Sequence, residues 1–413
     1  MSADTTVTDN RPGGPRGLIG RTPVFVIVFL PLAAIYLATA TYGLPYHIDP
    51  YTNAVTGWQM GMTGSVVLEG YEVATEPEQF GNIAWVAESP KGPVSQYPPG
   101  AAAMSAPLYR IFSQQMSLET VHGFNDDQAE PVELEVPNLV PATITAALTA
   151  AAAGGLVAST LLEVGATRSQ AMAAGYVAGL GTTMWAVASD QLWQHGPAVL
   201  WVALGIYLAA RERFLWSGLA FGAAVLTRPH LALIAAAVGI GLSVARRSFS
   251  PILKVGAGSA VGLGALFALN WWIWGEVTLN GGYRGDFVGE VVSGDVGGYL
   301  ENVAGGLFDV SHGLIVYSPF LVVLIPGLWV AFRRAPDWAR SAAVGGVIYL
   351  LVQWKANRFS GGEGFTGYRY PLEALAAAAV VLFVSYRTWV AERRLMTKVF
   401  WVLVAGAMVF QVV

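Results

Sequence analysis

The chain has 413 residues, of which 54% are hydrophobic and 12% are charged, and its formal net charge is −4. Soluble globular domains carry about twice that charged fraction, so the composition excludes an ordinary soluble protein. The sequence contains no cysteine, which excludes disulfides, thiol catalysis and cysteine-ligated metal sites. It also lacks the clustered basic residues that bind nucleic acid.

Apolar stretches without charged residues follow one another along the chain. They predict an all-α fold, a polytopic transmembrane helical bundle of about eleven spans. The stretches are 22–46, 136–162, 169–189, 191–210, 214–227, 229–245, 255–275, 310–332, 341–354, 374–386 and 399–413. Residues 1–20 are polar and are expected to form a disordered cytoplasmic tail, and 21–413 form one transmembrane domain. The last stretch stops abruptly at Val413, as expected of a fragment.

The charged residues between these stretches alternate in sign bias. If each stretch crosses the bilayer once from a cytoplasmic N-terminus, 16 of the 23 lysines and arginines lie on the inner side, with only 6 of the 27 acids. This positive-inside bias predicts a multi-pass protein of the cell membrane. It also places the chemistry on the external, periplasmic side. The bias requires that 214–245 form two short helices that turn at Arg228-Pro229, where proline favours a break.

A large external loop, 47–135, follows the first span and begins with His47-Ile48-Asp49-Pro50. Apolar and aromatic residues then recur at helical spacing, which predicts a short amphipathic helix in the headgroup layer; they are Tyr51, Val55, Trp58 and Met62. A carboxylate at the start of such a helix is placed to accept a proton from an acceptor hydroxyl. Asp49 is therefore the candidate catalytic base, although an aspartate before proline is also an ordinary helix cap.

Later in this loop, Tyr97 precedes Pro98-Pro99-Gly100, and an apolar run then predicts a short interfacial helix over 101–112. The proline pair ends an extended segment, so Tyr97 is a candidate substrate-binding residue at the end of that segment. A plain proline-rich loop is the alternative interpretation.

Two further polar positions lie at the ends of predicted spans. His195, in the turn 190–197, is placed to donate to a phosphate or merely to cap a helix. Arg228 lies near hydrocarbon, where an arginine costs about 2.5–3.5 kcal/mol on insertion scales. It therefore needs an anionic partner, such as Asp49, Glu363 or a bound phosphate, or it must extend to the interface. Arginine is well shaped for phosphate.

The glycine-rich segment 354–370 interleaves cations, aromatic rings and an acid, a composition that suits a sugar phosphate. Glycine allows close approach of the backbone to a ligand, rings pack on a sugar face and cations bind the anion. Its candidate substrate-binding residues are Lys355, Arg358, Glu363 and Tyr370, and Arg369 is a candidate phosphate ligand. A glycine-rich turn between two spans is the alternative interpretation.

Taken in order, these features resemble the GT-C superfamily of integral-membrane glycosyltransferases, which includes protein O-mannosyltransferases and lipid A aminoarabinose transferases. The resemblance covers about 22–386 and rests on five matches. They are Asp49 after the first span, Pro98-Pro99, the turn Leu192 to Gly196, the break Arg228-Pro229, and the loop with Trp354, Gly361, Gly362, Gly367, Arg369 and Tyr370. Two departures are Pro50 where many members carry a second acid, and Tyr97 where some carry a lysine before the proline pair.

The resemblance implies transfer of a sugar from a polyprenyl-phosphate-linked donor to a glycan, lipid or protein acceptor on the external face of the lipid bilayer. It implies Asp49 as the base and Arg228 and Arg369 as ligands of the donor phosphate, which His195 is expected from its position to contact as well. No cofactor is expected, although a divalent metal is not excluded, and no nucleic acid partner is expected. Two other interpretations stay open: a transporter or flippase of a lipid-linked sugar, and a non-catalytic assembly protein of the same fold.

Overall fold

A computed structural model of the chain describes residues 22–43, 47–72, 86–112, 117–121, 132–279, 281–282, 287–362 and 364–411. The tail 1–20, the candidate residue Glu363 and parts of the loop 47–135 lie outside the described residues. The described part is mostly helical, which supports the predicted helical fold.

The helices occur within all of the predicted apolar stretches and also between them. In chain order they are α1 (Val24–Thr39), α2 (Ile48–Thr63), α3 (Gly100–Phe112), α4 (Val140–Leu162), α5 (Arg168–Leu180), α6 (His195–Ala210), α7 (Phe214–Thr227), α8 (Ala232–Arg246), α9 (Ser250–Trp274), α10 (Phe287–Val292), α11 (Val296–Phe308), α12 (Leu314–Tyr317), α13 (Phe320–Leu324), α14 (Leu328–Arg334), α15 (Asp337–Ala356), α16 (Pro371–Ser385) and α17 (Arg394–Phe410). A π-helical turn follows α5 and another follows α16.

Two small antiparallel sheets lie in the segment between α1 and α4. Strand β1 (Val86–Ser89) pairs with β2 (Gly92–Ser95), and β3 (Ser117–Val121) pairs with β4 (Val132–Val136). The prediction of interfacial helices for 47–135 was therefore incomplete, because the loop also contains hairpins. The first hairpin turns directly before the Tyr97–Pro99 segment and so fixes where that segment begins.

The central helix of the core is α4, which packs against α1, α5 and α6. Alanine and glycine dominate α4, and their small side chains allow neighbouring helices to approach closely. The hydroxyls of Thr145 and Thr149 donate to the carbonyl oxygens of Pro141 and Thr145, each at 2.8 Å. These two hydroxyls are thereby satisfied within the helix itself.

A second group of helices continues from α6. Helix α7 packs against α6 and along α9, while α15 packs against α8 and α16. Along the α7–α9 contact, Gly218 and Gly222 face Gly258 and Gly262, and a Cβ at any of these positions would meet backbone atoms of the other helix. Two glycine-x-x-x-glycine pairs therefore bring these helices to backbone contact, as in many membrane helix pairs.

Four helical segments are long and apolar enough to cross a membrane: 140–162, 229–246, 250–274 and 371–390. Helices α1, α6 and α7 are apolar but shorter. On the outer side of α9, Leu253 and Val261 are exposed by 67% and 61%, and contiguous apolar surface of this kind is typical of a membrane or partner contact. These features together indicate a membrane protein.

The predicted break at Arg228-Pro229 is confirmed. Helix α7 ends at Thr227, and Arg228 has an extended backbone with φ −149° and ψ 106°. A 3-10 turn (Pro229–Leu231) then leads into α8. The residue before a proline is disfavoured in the helical region, and this explains why the chain leaves the helix at Arg228.

Candidate functional site

A cavity of about 850 Å3 lies where the start of α2, the Gln96–Pro98 segment, the α7–α8 break, α10 and the loop after α15 meet. Six predicted site residues line it together; they are Asp49, Tyr97, Arg228, Arg358, Arg369 and Tyr370. The remainder of the wall combines apolar side chains with glutamines, a mixture typical of ligand sites.

Asp49 lies in the first turn of α2, and its carboxylate is held by two side chains. The Tyr97 hydroxyl donates to Oδ1 at 2.6 Å, and Nη1 of Arg369 donates to Oδ2 at 2.7 Å. The alternative that Asp49 is only a helix cap is wrong, because α2 begins at Ile48 with His47 as its cap residue. The carboxylate instead joins segments that are 48 and 320 residues away in the chain.

Arg369 ends the glycine-rich loop, and aromatic rings surround its guanidinium. The guanidinium carbon lies 4.7 Å from the ring centre of Trp193, 5.3 Å from that of Phe365 and 5.6 Å from that of Tyr370. Burial by itself would lower the pKa of Arg369, but the Asp49 carboxylate outweighs burial and raises it. The side chain is therefore a fixed cation with restricted orientation beside Asp49.

The loop reaches this position because of its glycines. Gly361, Gly362, Gly364 and Gly367 all have positive φ, between 73° and 152°. Residues with a Cβ rarely adopt such angles, so the glycines permit the turns that bring Arg369 back to Asp49. The backbone N–H of Gly367 donates to the carbonyl oxygen of Ser311 at 2.6 Å and anchors the loop to the segment after α11.

Arg228 is held by a buried network of neighbouring side chains. Its Nη1 lies 2.7 Å from Nε2 of His195, and its Nη2 donates to Oε1 of Gln353 at 2.9 Å. The anionic partner is Glu373, whose Oε1 lies 3.7 Å from Nε of Arg228. Asp49, proposed from the sequence as one such partner, pairs with Arg369 instead.

His195 connects the two charges of this network. Arginine can only donate, so Nε2 of His195 accepts from Arg228. This assigns the ring proton to Nδ1, which donates to Oε1 of Glu373 at 2.9 Å. His195 is 1% exposed and lies behind Arg228, so it is not among the residues that line the cavity.

The segment before α3 is fixed against the α7–α8 break. A Cβ at Gly100 would lie 2.6 Å from backbone atoms of Leu226 and Thr227. The chain after Pro98-Pro99 therefore passes directly over the residues before Arg228, which only glycine permits at this separation. This contact brings Tyr97 and Arg228 into the same cavity.

Tyr370 lies between the two arginines, and its ring centre is 5.4 Å from the Arg228 guanidinium carbon and 5.6 Å from that of Arg369. Lys355 is not brought into the site: its Nζ donates to Oγ of Ser293 at 2.6 Å, and it does not line the cavity.

Sequence reasoning missed several residues of the site. Glu373 and Gln353 are fully buried partners of Arg228, and both His230 and Gln96 line the cavity. Glu373 could have been identified from the sequence, because an acid at the start of an apolar span is usually functional or paired. The glutamines could not, since their role depends on contacts between distant helices.

Several nitrogen donors of the lining side chains are buried and have no hydrogen-bond partner among the described residues. They are Nε2 of Gln96, Gln194 and Gln353 and Nε of Arg228 and Arg369. Buried donors without partners are rare and costly. Their concentration at one cavity favours a ligand rich in acceptor oxygens. Within the described residues, no group of three or more His, Asp or Glu side chains is placed to hold a metal ion.

In comparisons with known proteins, no family model matches this chain and no curated protein matches it significantly.

Proposed function

We propose that the chain is a membrane glycosyltransferase that moves a sugar from a polyprenyl-phosphate-linked donor to an acceptor hydroxyl. The observation that carries this proposal is the cavity where one carboxylate, Asp49, meets two arginines, Arg228 and Arg369. A transferase of this type needs a base for the incoming hydroxyl and fixed positive charge for the outgoing phosphate. Both are present within one space large enough for a sugar phosphate.

The reaction is a single displacement. The acceptor oxygen attacks the anomeric carbon, and the bond from that carbon to the phosphate oxygen breaks with its electron pair on the phosphate. Asp49 takes the proton of the acceptor hydroxyl. The attack comes from the face opposite the leaving group, so the anomeric configuration inverts.

The arginines stabilise the charge that develops on the leaving phosphate. Some N–H groups of each guanidinium already donate within the protein. Arg369 donates to Asp49, and Arg228 donates to His195 and Gln353. Guanidinium has five N–H donors, so each arginine keeps donors for phosphate oxygens. His195 is a positioning residue in this proposal, since it orients Arg228 and is anchored by Glu373.

The proposed topology has eleven crossings, a cytoplasmic N-terminus and an external site. It is supported by the helix found within each apolar stretch and by the inner location of most arginines and lysines under that arrangement. Asp49, Tyr97 and Arg369 then share the external side. Some crossing helices are short for a full bilayer, and the 3-10 and π-helical turns beside α8 and α16 lengthen them.

The direct test uses purified protein in lipid nanodiscs with a panel of radiolabelled polyprenyl-phosphate sugars. Wild type should release polyprenyl phosphate from at least one donor. Arg228→Lys and Arg369→Lys should weaken donor binding by about tenfold or more, because a charge-assisted hydrogen bond contributes about 1.5–3 kcal/mol. Arg333→Lys, at an exposed arginine that does not line the cavity, is the matched control.

Two outcomes would overturn the proposal. One is a donor affinity that is unchanged in both cavity variants relative to Arg333→Lys. The other is movement of an intact labelled donor across a liposome membrane by a protein that never cleaves it, which is the result expected of a flippase.

A further inference from the structure

A second polar cavity also borders the glycine-rich loop. Its volume is about 580 Å3, and its walls come from the segment after α11 and from the loop after α15. The lining residues that matter here are Asp309, His312, Phe359, Phe365 and Thr366. We call it the Asp309–His312 pocket. It shares Arg358 with the first cavity.

Asp309 organises the polar side of this pocket. Its Oδ1 accepts the backbone N–H groups of Ser311 and His312, each at 2.9 Å, and lies 3.4 Å from Nδ1 of His312. Slight burial would raise the pKa of Asp309, but these contacts lower it. The carboxylate therefore stays ionised and orients the imidazole, with the proton on Nδ1.

His312 is left with a buried Nε2 that has no hydrogen-bond partner within the described part of the chain. In a neutral ring with the proton on Nδ1, this nitrogen accepts a hydrogen bond, and in a protonated ring it donates one. Its ring meets Phe359 and Phe365 edge-on, with ring centres 6.3 Å and 5.1 Å away. A ring nitrogen, a carboxylate and hydroxyls thus lie beside two aromatic rings.

Phe365 lines this pocket and contacts Arg369, which lines the first cavity. One contact of its ring is the Arg369 guanidinium carbon at 5.3 Å, and another is the His312 ring at 5.1 Å. Arg369 in turn holds Asp49. The Asp309–His312 pocket is therefore one aromatic ring away from the residues that would act on a donor.

We infer that the Asp309–His312 pocket binds the acceptor substrate and that this acceptor is a carbohydrate. The term acceptor rests on the proposed function, which assigns the first cavity, with Arg228 and Arg369, to the donor phosphate. The carbohydrate class follows from the pocket itself. Sugar hydroxyls donate to the carboxylate and form a hydrogen bond with Nε2, and the apolar C–H face of a sugar ring packs on phenylalanine.

The pocket can be tested without turnover, because the chain has no native cysteine. Thr366→Cys places one thiol in the pocket, and Glu88→Cys, exposed on β1, is the control. The probes are the methyl glycosides of mannose, glucose, galactose and arabinose. Each is tested for its ability to slow modification of the thiol by an impermeant maleimide. A glycoside at about twice its Kd should slow modification of Thr366→Cys about threefold, since two-thirds of sites are occupied. It should leave Glu88→Cys unaffected.

If no glycoside slows Thr366→Cys more than Glu88→Cys, the inference is overturned. The protecting glycoside is then used as acceptor in a transfer assay. His312→Gln should raise the KM for that glycoside about fivefold, as expected for a misplaced hydrogen bond, while the KM for the donor stays unchanged. An equal rise in both KM values would assign the pocket to the donor and also overturn the inference. Protection without release of polyprenyl phosphate from any donor would leave a carbohydrate pocket and overturn the proposed transfer alone.

Discussion

At the residue scale, substitution of Asp49 tests whether its carboxylate acts as the base. Its two oxygens accept from Tyr97 and Arg369, and an asparagine keeps one acceptor oxygen but cannot bind the proton. The folded Asp49→Asn protein should therefore lose about 10²–10⁴-fold in transfer rate, the usual contribution of a general base. It should also be less stable than wild type, because Arg369 loses its charged partner. Polyprenyl phosphate release under saturating donor measures the loss in transfer rate.

Tyr97→Phe is the control for Asp49→Asn. It removes the hydrogen bond to Oδ1 and leaves the carboxylate and Arg369 in place. Transfer should fall much less than in Asp49→Asn. If Asp49→Asn transfers at the wild-type rate, Asp49 has a structural role only, and another external acid must be the base.

Glu373 supports a different prediction, on stability. It is fully buried and is the acid that the structure places beside Arg228. Glu373→Gln should reduce the free energy of unfolding by about 3 kcal/mol or more, because removing one member of a buried pair leaves the other charge unpaired. Arg228→Gln combined with Glu373→Gln should recover part of this loss, since no lone charge remains.

Thermal or denaturant unfolding in nanodiscs measures both variants. Glu301→Gln, at an exposed position of α11, should stay within about 0.5 kcal/mol of wild type. Equal stability of Glu373→Gln and Glu301→Gln would contradict the assignment of Glu373 as the counter-ion of Arg228.

The residue types of this site were predictable from the sequence, but their partners were not. Asp49, Arg228 and Arg369 are unusual for their positions: a carboxylate or an arginine at the edge of hydrocarbon needs a reason. Which acid neutralises which arginine depends on how helices pack. His195 and Glu373 are 178 residues apart, and no local pattern encodes that contact.

At the element scale, Asp49 is positioned by the packing of α2 on α3. A Cβ at Gly57 of α2 would lie 2.0 Å from Oγ of Ser105 and 2.9 Å from the carbonyl oxygen of Ala102. Gly57→Ala must therefore push α2 away from α3, at a cost of about 1–3 kcal/mol for overpacking. The first turn of α2 should move with it, so transfer should fall as well.

Gly256→Ala on α9 is the matched control, because a Cβ there has no atom within 4 Å. This exchange should be neutral or stabilising by up to about 1 kcal/mol, the helix preference of alanine over glycine. Unfolding of the two variants, measured side by side, tests the packing. A Gly57→Ala protein as stable as Gly256→Ala would contradict it.

Helix positions were largely predictable from apolar runs. Whether a given helix face contacts lipid or another part of the protein was not. The face of α2 with Tyr51 and Val55 was expected to lie in the headgroup layer, yet both side chains are about 1% exposed within the protein. An aromatic and aliphatic stripe has the same pattern whether it meets lipid or a neighbouring helix. The neighbours here are the hairpin β1–β2 and α3, which the periodicity of α2 cannot indicate.

The stretch 310–332 gives a second example at this scale. One span was predicted there, and the structure has three short helices, α12 to α14. Pro319 and Pro326 interrupt them, since proline lacks the backbone donor that continues a helix. The sequence contained this signal, but hydropathy averaged over the stretch does not respond to it.

At the scale of the whole molecule, charge and hydropathy predicted the class of protein better than any single site. Four helical segments meet the length and hydropathy expected of a span, and the described surface exposes large apolar side chains on α8, α9 and α17. The number of crossings and their direction stay predictions. Short helices such as α7 are shorter than a bilayer is thick, and they match its thickness only together with the segments next to them in the chain.

The sidedness of the molecule is the prediction on which an external active site depends. Pro90 lies between β1 and β2 on the side of Asp49 and Tyr97, and Ser250 begins α9 beside Arg246 and Arg247. Both positions are exposed, and the chain has no native cysteine. In intact cells, an impermeant thiol reagent should label Pro90→Cys and should reach Ser250→Cys only after the membrane is opened. Labelling of Ser250→Cys but not of Pro90→Cys in intact cells would place the cavity on the cytoplasmic side. The charge bias would then be inverted relative to the positive-inside rule.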